Sequence, residues 1–384
     1  MEFTHYLHTK VVFGLGSVKR VGEEARKLGG TKALLVTTGN LLEVTGYLDI
    51  ISKSLESVGI KYLVFNEVEE NPSTKTCEKG AEIAKREGVD VVIAFGGGSA
   101  MDAGKAISVL KSLGGKASDY FFPKIVEGVT IPVIAIPTTC GTGAEVTRYA
   151  IITELSSKKK MTMAGPAVLP RVAIVDPEVL KNIPKKLLAW TALDALSHAL
   201  EAYTSRAATP MSDGYALIAT DYILKYILKA YEGDEGAKGR VHIAATLGGM
   251  AINDAGTTII HGAGYYLTTH HNVHHGLANA LLMPYILEYN FNYVGEEKVS
   301  MLLRVVGTSS VRELIKNMCN LMDVLGIPDS IVDVGVKPEE LDMMVKDALE
   351  YKRNVANNPA PLDENVMKEL IRKALLGRSK VYGS

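Results

Sequence analysis

Short β-branched runs alternate with helical patterns in the first 180 residues, and this alternation restricts the fold more than any other feature of the chain. Such an order indicates a parallel sheet with helices on its faces, so we expect an α/β nucleotide-binding layer. Helical patterns such as Thr76–Glu87 separate the apolar runs. Four runs of strand length are predicted to be buried strands: Lys32–Thr37, Tyr62–Phe65, Val91–Phe95 and Val133–Ile136.

The pattern changes beyond Ile183 and Pro184, where long amphipathic and apolar helical patterns follow with few strand signals. A chain of 384 residues exceeds one typical core. We therefore expect two domains, an α/β domain over residues 1–180 and an all-helical domain over residues 181–384.

Charge and cysteine content narrow the range of partners. A formal net charge of -1 gives no electrostatic reason to expect nucleic acid or an anionic membrane. No apolar run approaches the roughly 20 residues that a membrane helix needs. The three cysteines form no CxxC pair, which argues against a disulfide framework and suits a reducing cytoplasm. Small polar molecules are the expected ligands.

Four residues in the second half indicate a metal site. Asp194 and His198 are spaced i, i+4, so both project from one face of a helix, and His261 and His275 follow at a separation of fourteen. One carboxylate and three imidazoles suit ferrous iron or zinc rather than calcium or magnesium. An isolated Asp-x-x-x-His is more often a surface pair, so this interpretation depends on the motifs around it.

A glycine-rich turn, Gly96-Gly-Gly-Ser99, follows the strand that ends at Phe95 and precedes a helical pattern. Glycines let the backbone approach a diphosphate, and a helix N-terminus favours negative charge. A tight turn without a ligand is the alternative. Asp102 lies three residues after Ser99, a spacing that also suits a helix N-cap. The threonine-rich segment at residues 137–146 also follows a strand and has the composition to wrap a cofactor.

Together these residues make the chain resemble the iron-containing (group III) alcohol dehydrogenases over nearly its whole length. The resemblance implies a dinucleotide-binding α/β domain, an all-helical metal-binding domain, a dehydroquinate synthase-like architecture, and a metal in the cleft between the domains. It also implies that Asp194, His198, His261 and His275 are the metal ligands, and that the protein is a homodimer or larger homo-oligomer. The motifs that carry it are Phe13-Gly-Leu-Gly16, Glu70-Asn-Pro72, Gly96-Gly-Gly-Ser99, Ile136-Pro-Thr-Thr139, Gly143-Ala-Glu-Val-Thr147, Leu193-Asp-Ala-Leu-Ser-His198 and His275-Gly-Leu-Ala-Asn279.

The resemblance extends to the cofactor residues. Gly97, Gly98 and Ser99 would hold the diphosphate with Asp102 nearby. NAD-preferring members have an aspartate just after the second strand, where a carboxylate binds the ribose and repels a 2'-phosphate. This chain has Thr38, Gly39 and Asn40 there, so NADP(H) is expected over NAD(H). The remaining positions that match are Asn71, Thr138, Thr139 and Thr142, which would line the cofactor path, and Lys160.

One position departs from many members of the family. Where they have a further histidine four residues after the third metal ligand, this chain has Tyr265. Aromatic packing and a catalytic hydroxyl both remain open for this residue. His270, His271 and His274 lie nearby as alternative proton carriers, and solvent-facing loop positions are the favoured interpretation for them.

The resemblance implies reversible hydride transfer between NADP(H) or NAD(H) and a small primary alcohol or aldehyde, with iron, or alternatively zinc, as Lewis acid. The alternatives are a glycerol or hydroxyacid dehydrogenase of the same superfamily, a dehydroquinate synthase-like lyase, and a non-catalytic metal- or nucleotide-binding protein. The lyase is disfavoured because its metal ligands are a glutamate and two histidines, and because no cluster of basic residues suited to a phosphonate-like leaving group is evident here.

Overall fold

The computed structural model describes residues 2–5, 9–157 and 159–383. They form two compact units. One ends at Ile183, and the other begins at Pro184 and includes the N-terminal residues through His5.

The unit that ends at Ile183 is built on a parallel sheet. Its described strands are β1 (Lys10–Phe13), β2 (Lys32–Val36), β3 (Lys61–Phe65), β4 (Val91–Gly96), β5 (Val133–Pro137), β6 (Tyr149–Glu154), β7 (Lys159–Ala164) and β8 (Val172–Val175). Six of them pair in parallel in the order β1-β8-β5-β4-β2-β3, while β6 and β7 form a separate antiparallel pair.

Helices cover both faces of this sheet. The described α-helices of the unit are α1 (Val21–Lys27), α2 (Leu41–Val44), α3 (Tyr47–Glu56), α4 (Thr74–Arg86) and α5 (Gly98–Leu113). Successive strand side chains point to opposite faces. Leu35 therefore lies in one buried core with α1 and α3, whereas Leu34 lies in a second core with α4 and α5. Burial on both faces explains why these strands are almost wholly apolar.

The strand order has a switch point between β2 and β4. The chain moves from β2 outward to β3 and then returns to the other side of β2 to form β4. In open α/β sheets, ligands bind beyond the carboxyl ends of the strands at such a point. The residues that follow β2 and β4 are Thr37–Asn40 and Gly97–Ser99, which include the two turns that the sequence assigned to the cofactor.

From Pro184 onward, every described regular element is a helix. No helix in the described residues has both the length and the apolar character needed to cross a membrane. The α-helices are α6 (Lys185–Thr204), α7 (Pro210–Glu232), α8 (Glu235–Ala255), α9 (Ile259–His271), α10 (His275–Phe291), α11 (Glu296–Val306), α12 (Val311–Val324), α13 (Leu341–Glu350), α14 (Lys352–Asn357), α15 (Glu364–Leu376) and α16 (Arg378–Tyr382).

Local sequence explains several of these helix boundaries. Pro210 occupies the first turn of α7, where its missing N–H costs nothing, and Thr209 caps that helix by accepting from the Ser212 N–H at 3.2 Å. Asp363 caps α15 in the same way through the Val366 N–H at 2.8 Å. Side-chain caps thus mark where α7 and α15 begin, and Pro210 reinforces the start of α7.

The predicted fold class, an α/β layer followed by an all-helical region, is confirmed. All four predicted strands are present, with ends that shift by one residue, and α4 begins at Thr74, two residues before the predicted start. The pattern missed β1, β8 and the β6–β7 pair. β1 and β8 have only four residues each, and β6 and β7 include polar residues such as Glu154 and Lys160.

Candidate metal and cofactor sites

Three helices of the second unit bring together three of the expected metal ligands. Asp194 lies on α6, His261 on α9, and His275 is the first residue of α10. One potential donor atom from each lies within 4.8 Å of the other two. The Asp194 Oδ1 atom is 3.9 Å from His261 Nε2 and 4.0 Å from His275 Nε2. Such spacing lets one ion contact all three.

His198, the fourth expected ligand, lies beside this cluster one helical turn after Asp194. Its ring stacks on that of His261, with 4.8 Å between centroids and 21° between planes. Burial alone would raise the pKa of Asp194, but the positive charges of His198, His275 and His261 outweigh it and lower that pKa to about 2. Asp194 therefore stays ionised, as a metal ligand must.

Glycine permits the close approach of α10 to α6. A Cβ atom at Gly276 would collide with the backbone carbonyl of Trp190 and lie 3.0 Å from the Asp194 Cβ. A Cβ atom at Gly264 would likewise collide with the Asn279 side chain. The helices that carry the expected ligands thus meet at residues without side chains.

Asn279 lies at the centre of the ligand cluster. It is fully buried on α10, one turn after His275. Its Nδ2 donates to Asp194 Oδ1 at 2.8 Å and lies 3.2 Å from the Nε2 atoms of His261 and His275. The sequence had placed Asn279 in a family motif without giving it a role.

Glu201 is a second residue that sequence reasoning missed. It is fully buried on α6, and its Oε2 accepts a hydrogen bond from His261 Nδ1. Burial would raise the pKa of Glu201, but His261 and Thr258 outweigh it and lower that pKa. Glu201 reciprocally raises the pKa of His261 against the effect of burial. An acidic residue within an apolar helix, three residues after His198, was the available signal.

Tyr265 lies one turn after His261 on α9. Its ring is nearly parallel to that of His275, with 5.5 Å between centroids and 13° between planes, and tilts against Tyr351 at 4.8 Å. Tyr265 and Tyr351 therefore form an aromatic wall next to His275, which itself is 27% exposed.

The three nearby histidines make other contacts. His270 stacks on Tyr266 with 4.2 Å between centroids, and His271 Nε2 lies 2.8 Å from a Glu340 carboxylate oxygen. His274 packs against Trp190 and accepts the Gly276 N–H at 3.2 Å, which makes it the N-cap of α10. These contacts are structural ones, at helix ends and between helices.

In the first unit, the glycine turn leads directly into α5. This helix begins at Gly98, so its N-cap is Gly97 and not Ser99, which lies within the first turn. The N-cap spacing of Ser99 and Asp102 was therefore misleading. Gly97 has no side chain to bond the first N–H groups, so the helix start remains suited to an anion.

Two expected cofactor residues lie against this turn. A Cβ atom at Gly98 would lie 2.9 Å from Thr142 Cγ2, and one at Gly97 would lie 3.5 Å from Thr139 Cγ2. Thr138 is tied to the same region by a backbone hydrogen bond of 2.9 Å to the Gly96 carbonyl. The threonine segment and the glycine turn are thus neighbours.

Asn71 and Ser99 also meet, because the Asn71 N–H donates to Ser99 Oγ at 3.2 Å. Asn71 has a φ of 58°, a left-handed conformation that asparagine tolerates better than most residues. Its carbonyl accepts from Thr153 Oγ1 at 3.1 Å, and Thr153 is the register partner of Lys160 in the β6–β7 pair. The segments that contain Asn71, Ser99, Thr153 and Lys160 therefore lie next to one another near the glycine turn.

Asp102 faces a buried lysine that the sequence analysis did not single out. Its carboxylate lies 3.3 Å from Lys105 Nζ and accepts the Ile151 N–H at 3.1 Å. Burial raises the pKa of Asp102 and lowers that of Lys105. Lys105 also donates to the Tyr149 carbonyl at 2.7 Å, so this pair ties α5 to β6.

The residues after β2 lie at the same edge of the sheet. A Cβ atom at Gly96 would be 3.9 Å from Thr38 Oγ1, so Thr38 borders the glycine turn. Gly39 and Asn40 are exposed. Glu67, the bridge partner of Thr38, forms an exposed ion pair with Lys79, with 2.5 Å between its carboxylate and Lys79 Nζ.

The chain is similar to iron-containing alcohol dehydrogenases over both units. The family model "Iron-containing alcohol dehydrogenase" matches residues 8–177, and the model "Fe-containing alcohol dehydrogenase family, C-terminal" matches residues 188–375. The NAD-dependent methanol dehydrogenase of Bacillus methanolicus is 31% identical over 95% of this chain and 97% of the relative. The NADPH-dependent butanol dehydrogenase of Clostridium saccharobutylicum is 32% identical over 98% of each. A crystal structure of 1,3-propanediol oxidoreductase, 31% identical, matches with a TM-score of 0.93 over 98% of this chain and 100% of that one.

Proposed function

The chain belongs to the iron-containing alcohol dehydrogenase family, and we propose that it catalyses reversible hydride transfer between NADP(H) and a small primary alcohol or its aldehyde. The observation that carries this proposal is the cluster of Asp194, His261 and His275 on three helices, in which Asp194 and His261 are buried. Within this proposal, residues 1–180 form the dinucleotide-binding domain and residues 181–384 the metal-binding domain.

Asp194, His198, His261 and His275 are the proposed metal ligands. One carboxylate and up to three imidazoles fit ferrous iron, and zinc suits the same donors. The fit is supported by the two Nε2 atoms, which lie 3.9 and 4.0 Å from Asp194 Oδ1. A divalent metal held there would supply Lewis acidity, which lowers the pKa of an alcohol hydroxyl that contacts it.

The protein's own residues have two tasks beside the metal. Asn279 holds the Asp194 carboxylate in place through its 2.8 Å hydrogen bond. Tyr265 and Tyr351 present an aromatic wall beside His275, and such a wall excludes water and packs against a short carbon chain. We assign Tyr265 this packing role in preference to proton transfer, because its ring lies nearly parallel to that of His275 with 5.5 Å between centroids.

The cofactor is proposed to bind at the switch point of the sheet. Gly97, Gly98 and Ser99 offer the start of α5 to the diphosphate, and Thr139 and Thr142 lie against the same turn. The other proposed contacts are Thr38, Gly39, Asn40, Asn71, Asp102, Thr138 and Lys160. Asp102 would act mainly by positioning, since Lys105 and the Ile151 N–H already engage its carboxylate.

The preference for NADP(H) follows from the residues after β2. Thr38, Gly39 and Asn40 carry no charge that would repel a 2'-phosphate, and the nearby Glu67 is paired with Lys79. Relatives differ in their cofactor. The methanol dehydrogenase is described as NAD-dependent, and the butanol dehydrogenase is described as NADPH-dependent. We also propose a cytoplasmic homodimer or larger homo-oligomer.

The test is reconstitution of anaerobically purified, metal-free protein with Fe²⁺ or Zn²⁺, followed by a screen of short aldehydes with NADPH and NADH. We expect one metal ion per chain, aldehyde reduction that depends on it, and at least tenfold higher kcat/KM with NADPH than with NADH. Turnover of a sugar-acid phosphate without any alcohol oxidation would favour the lyase alternative and contradict the proposal.

A further inference from the structure

Glu201 connects two of the helices that carry the proposed metal ligands. It lies on α6, seven residues after Asp194 and three after His198, and so shares their face of the helix. Its carboxylate reaches the first turn of α9, the helix of His261. It is fully buried, which makes an unpaired charge at this position very costly.

The two carboxylate oxygens of Glu201 serve different partners. Oε1 accepts from the Thr258 N–H at 2.9 Å, from Thr258 Oγ1 at 2.6 Å and from the His261 N–H at 3.4 Å. Thr258 is the N-cap residue of α9 but makes no side-chain cap of its own, so Glu201 supplies the acceptor for this helix start. Oε2 accepts only from His261 Nδ1 among the hydrogen bonds of the described residues.

The bond to Nδ1 decides which ring nitrogen of His261 faces the metal. A carboxylate acceptor keeps the proton on Nδ1, and Nε2 is left as the ligand atom. That Nε2 is the atom 3.9 Å from Asp194 Oδ1 and 3.2 Å from Asn279 Nδ2, so it points into the ligand cluster. Ring orientation and tautomer are fixed by one residue.

We propose that Glu201 is a positioning residue for the metal centre: its Oε1 holds the start of α9 against α6, and its Oε2 holds His261 with Nε2 toward the metal. Glutamine cannot replace it, because an amide has a single acceptor oxygen. One partner, either the α9 start or His261 Nδ1, would then face an NH2 group. The inference rests on the proposed metal-dependent function.

The experiment measures metal affinity, by competition of Zn²⁺ and Fe²⁺ with a chelator, for wild type, Glu201→Gln and two controls. Thr258→Val removes one bond to Oε1 but leaves Oε2 on His261. Glu24→Gln makes the same change at another buried glutamate, which binds Lys10 at 2.6 Å in the other unit. We expect Glu201→Gln to weaken metal binding about 10- to 100-fold and both controls to stay within about twofold.

Equal losses in Glu201→Gln and Thr258→Val would overturn the inference, since Glu201 would then be only a helix cap, and so would unchanged affinity in Glu201→Gln. Absence of metal binding by the wild type would instead refute the proposed function. If Glu201→Gln does not fold, ¹⁵N spectra of the histidine rings in zinc-loaded wild type decide the question. We expect His261 to carry its proton on Nδ1, and coordination of zinc through Nδ1 would overturn the inference.

Discussion

The ring of Tyr265 lies nearly parallel to that of His275, with 5.5 Å between their centroids. Tyr265 thus packs on a proposed metal ligand. Tyr265→Phe keeps this stack, and we expect kcat for a short aldehyde to stay within about threefold of wild type. Tyr265→Ala removes one of the two rings of the aromatic wall and should raise KM at least tenfold, a loss of about 1.4 kcal/mol in binding. A tenfold fall in kcat for Tyr265→Phe, measured by steady-state kinetics, would assign the hydroxyl a catalytic role instead.

An aspartate at residue 38 should reverse the cofactor preference. Thr38 borders the glycine turn at the carboxyl edge of the sheet, and a carboxylate there would repel the 2'-phosphate of NADP(H). We expect Thr38→Asp to lower kcat/KM with NADPH at least tenfold while kcat/KM with NADH is kept or improved. Val129→Asp, at a residue that is 88% exposed beyond the far end of α5, is the matched charge control. Equal losses with both cofactors would argue against this placement of the ribose.

Replacement of either histidine that flanks Asn279 should remove the metal. His275→Ala and His261→Ala each delete one Nε2 donor of the cluster, and we expect metal content below about a tenth of an ion per chain with at least a hundredfold loss of kcat. Circular dichroism should show an unchanged helical content. Wild-type metal content and turnover in either variant would disprove the ligand assignment.

The same two variants should differ in stability when both are metal-free. His261→Ala leaves Glu201 Oε2 without its hydrogen-bond donor in a fully buried position, whereas His275→Ala affects a side chain that is 27% exposed. We expect His261→Ala to lose about 1 to 3 kcal/mol more in free energy of unfolding. Urea titration of the two proteins measures this difference, and equal midpoints would contradict it.

Glu340 should contribute a pH-dependent part of the stability. The Lys337 N–H, the Tyr266 hydroxyl and His271 lower its pKa from 4.5 to about 2. A group whose pKa is lower in the folded state stabilises above its unfolded pKa and loses that contribution as pH falls through the folded value. Wild type should therefore exceed Glu340→Gln by about 1 to 2 kcal/mol at pH 7, a gap that closes between about pH 4.5 and 2.

Thermal melts across this range test the expectation for Glu340. The neighbouring Glu339, which is exposed, provides the control in Glu339→Gln and should show no such gap. A gap that persists unchanged at pH 2 would show that Glu340 acts by packing and not by charge.

The sequence predicted those parts of the fold that depend on burial pattern. The strand ending at Gly96 is apolar throughout because both of its faces are covered, and its glycine-rich end marked the turn correctly. β1 and β8, of four residues each, pair with one another at the opposite side of the sheet from β3. Their pairing is set by tertiary contact, which no local pattern of this length records.

The site was predictable in composition but not in its supporting contacts. Helical spacing was sufficient to place Asp194 and His198 on one face. Glu201 shares this face, yet its importance depends on reaching the start of α9 more than fifty residues later in the chain. The role of Asn279 likewise becomes visible only when three helices converge on its amide.

For protein engineering, the close contact at Gly276 means that the crossing of α6 and α10 tolerates less change than the aromatic wall of Tyr265 and Tyr351. Any side chain there would press on the backbone carbonyl of Trp190, and relief would require α6 to move with Asp194 on it. Tyr265 and Tyr351 contact each other through their rings, with 4.8 Å between centroids. Libraries aimed at new substrates are therefore best built on the two tyrosines, with the helix crossing left untouched.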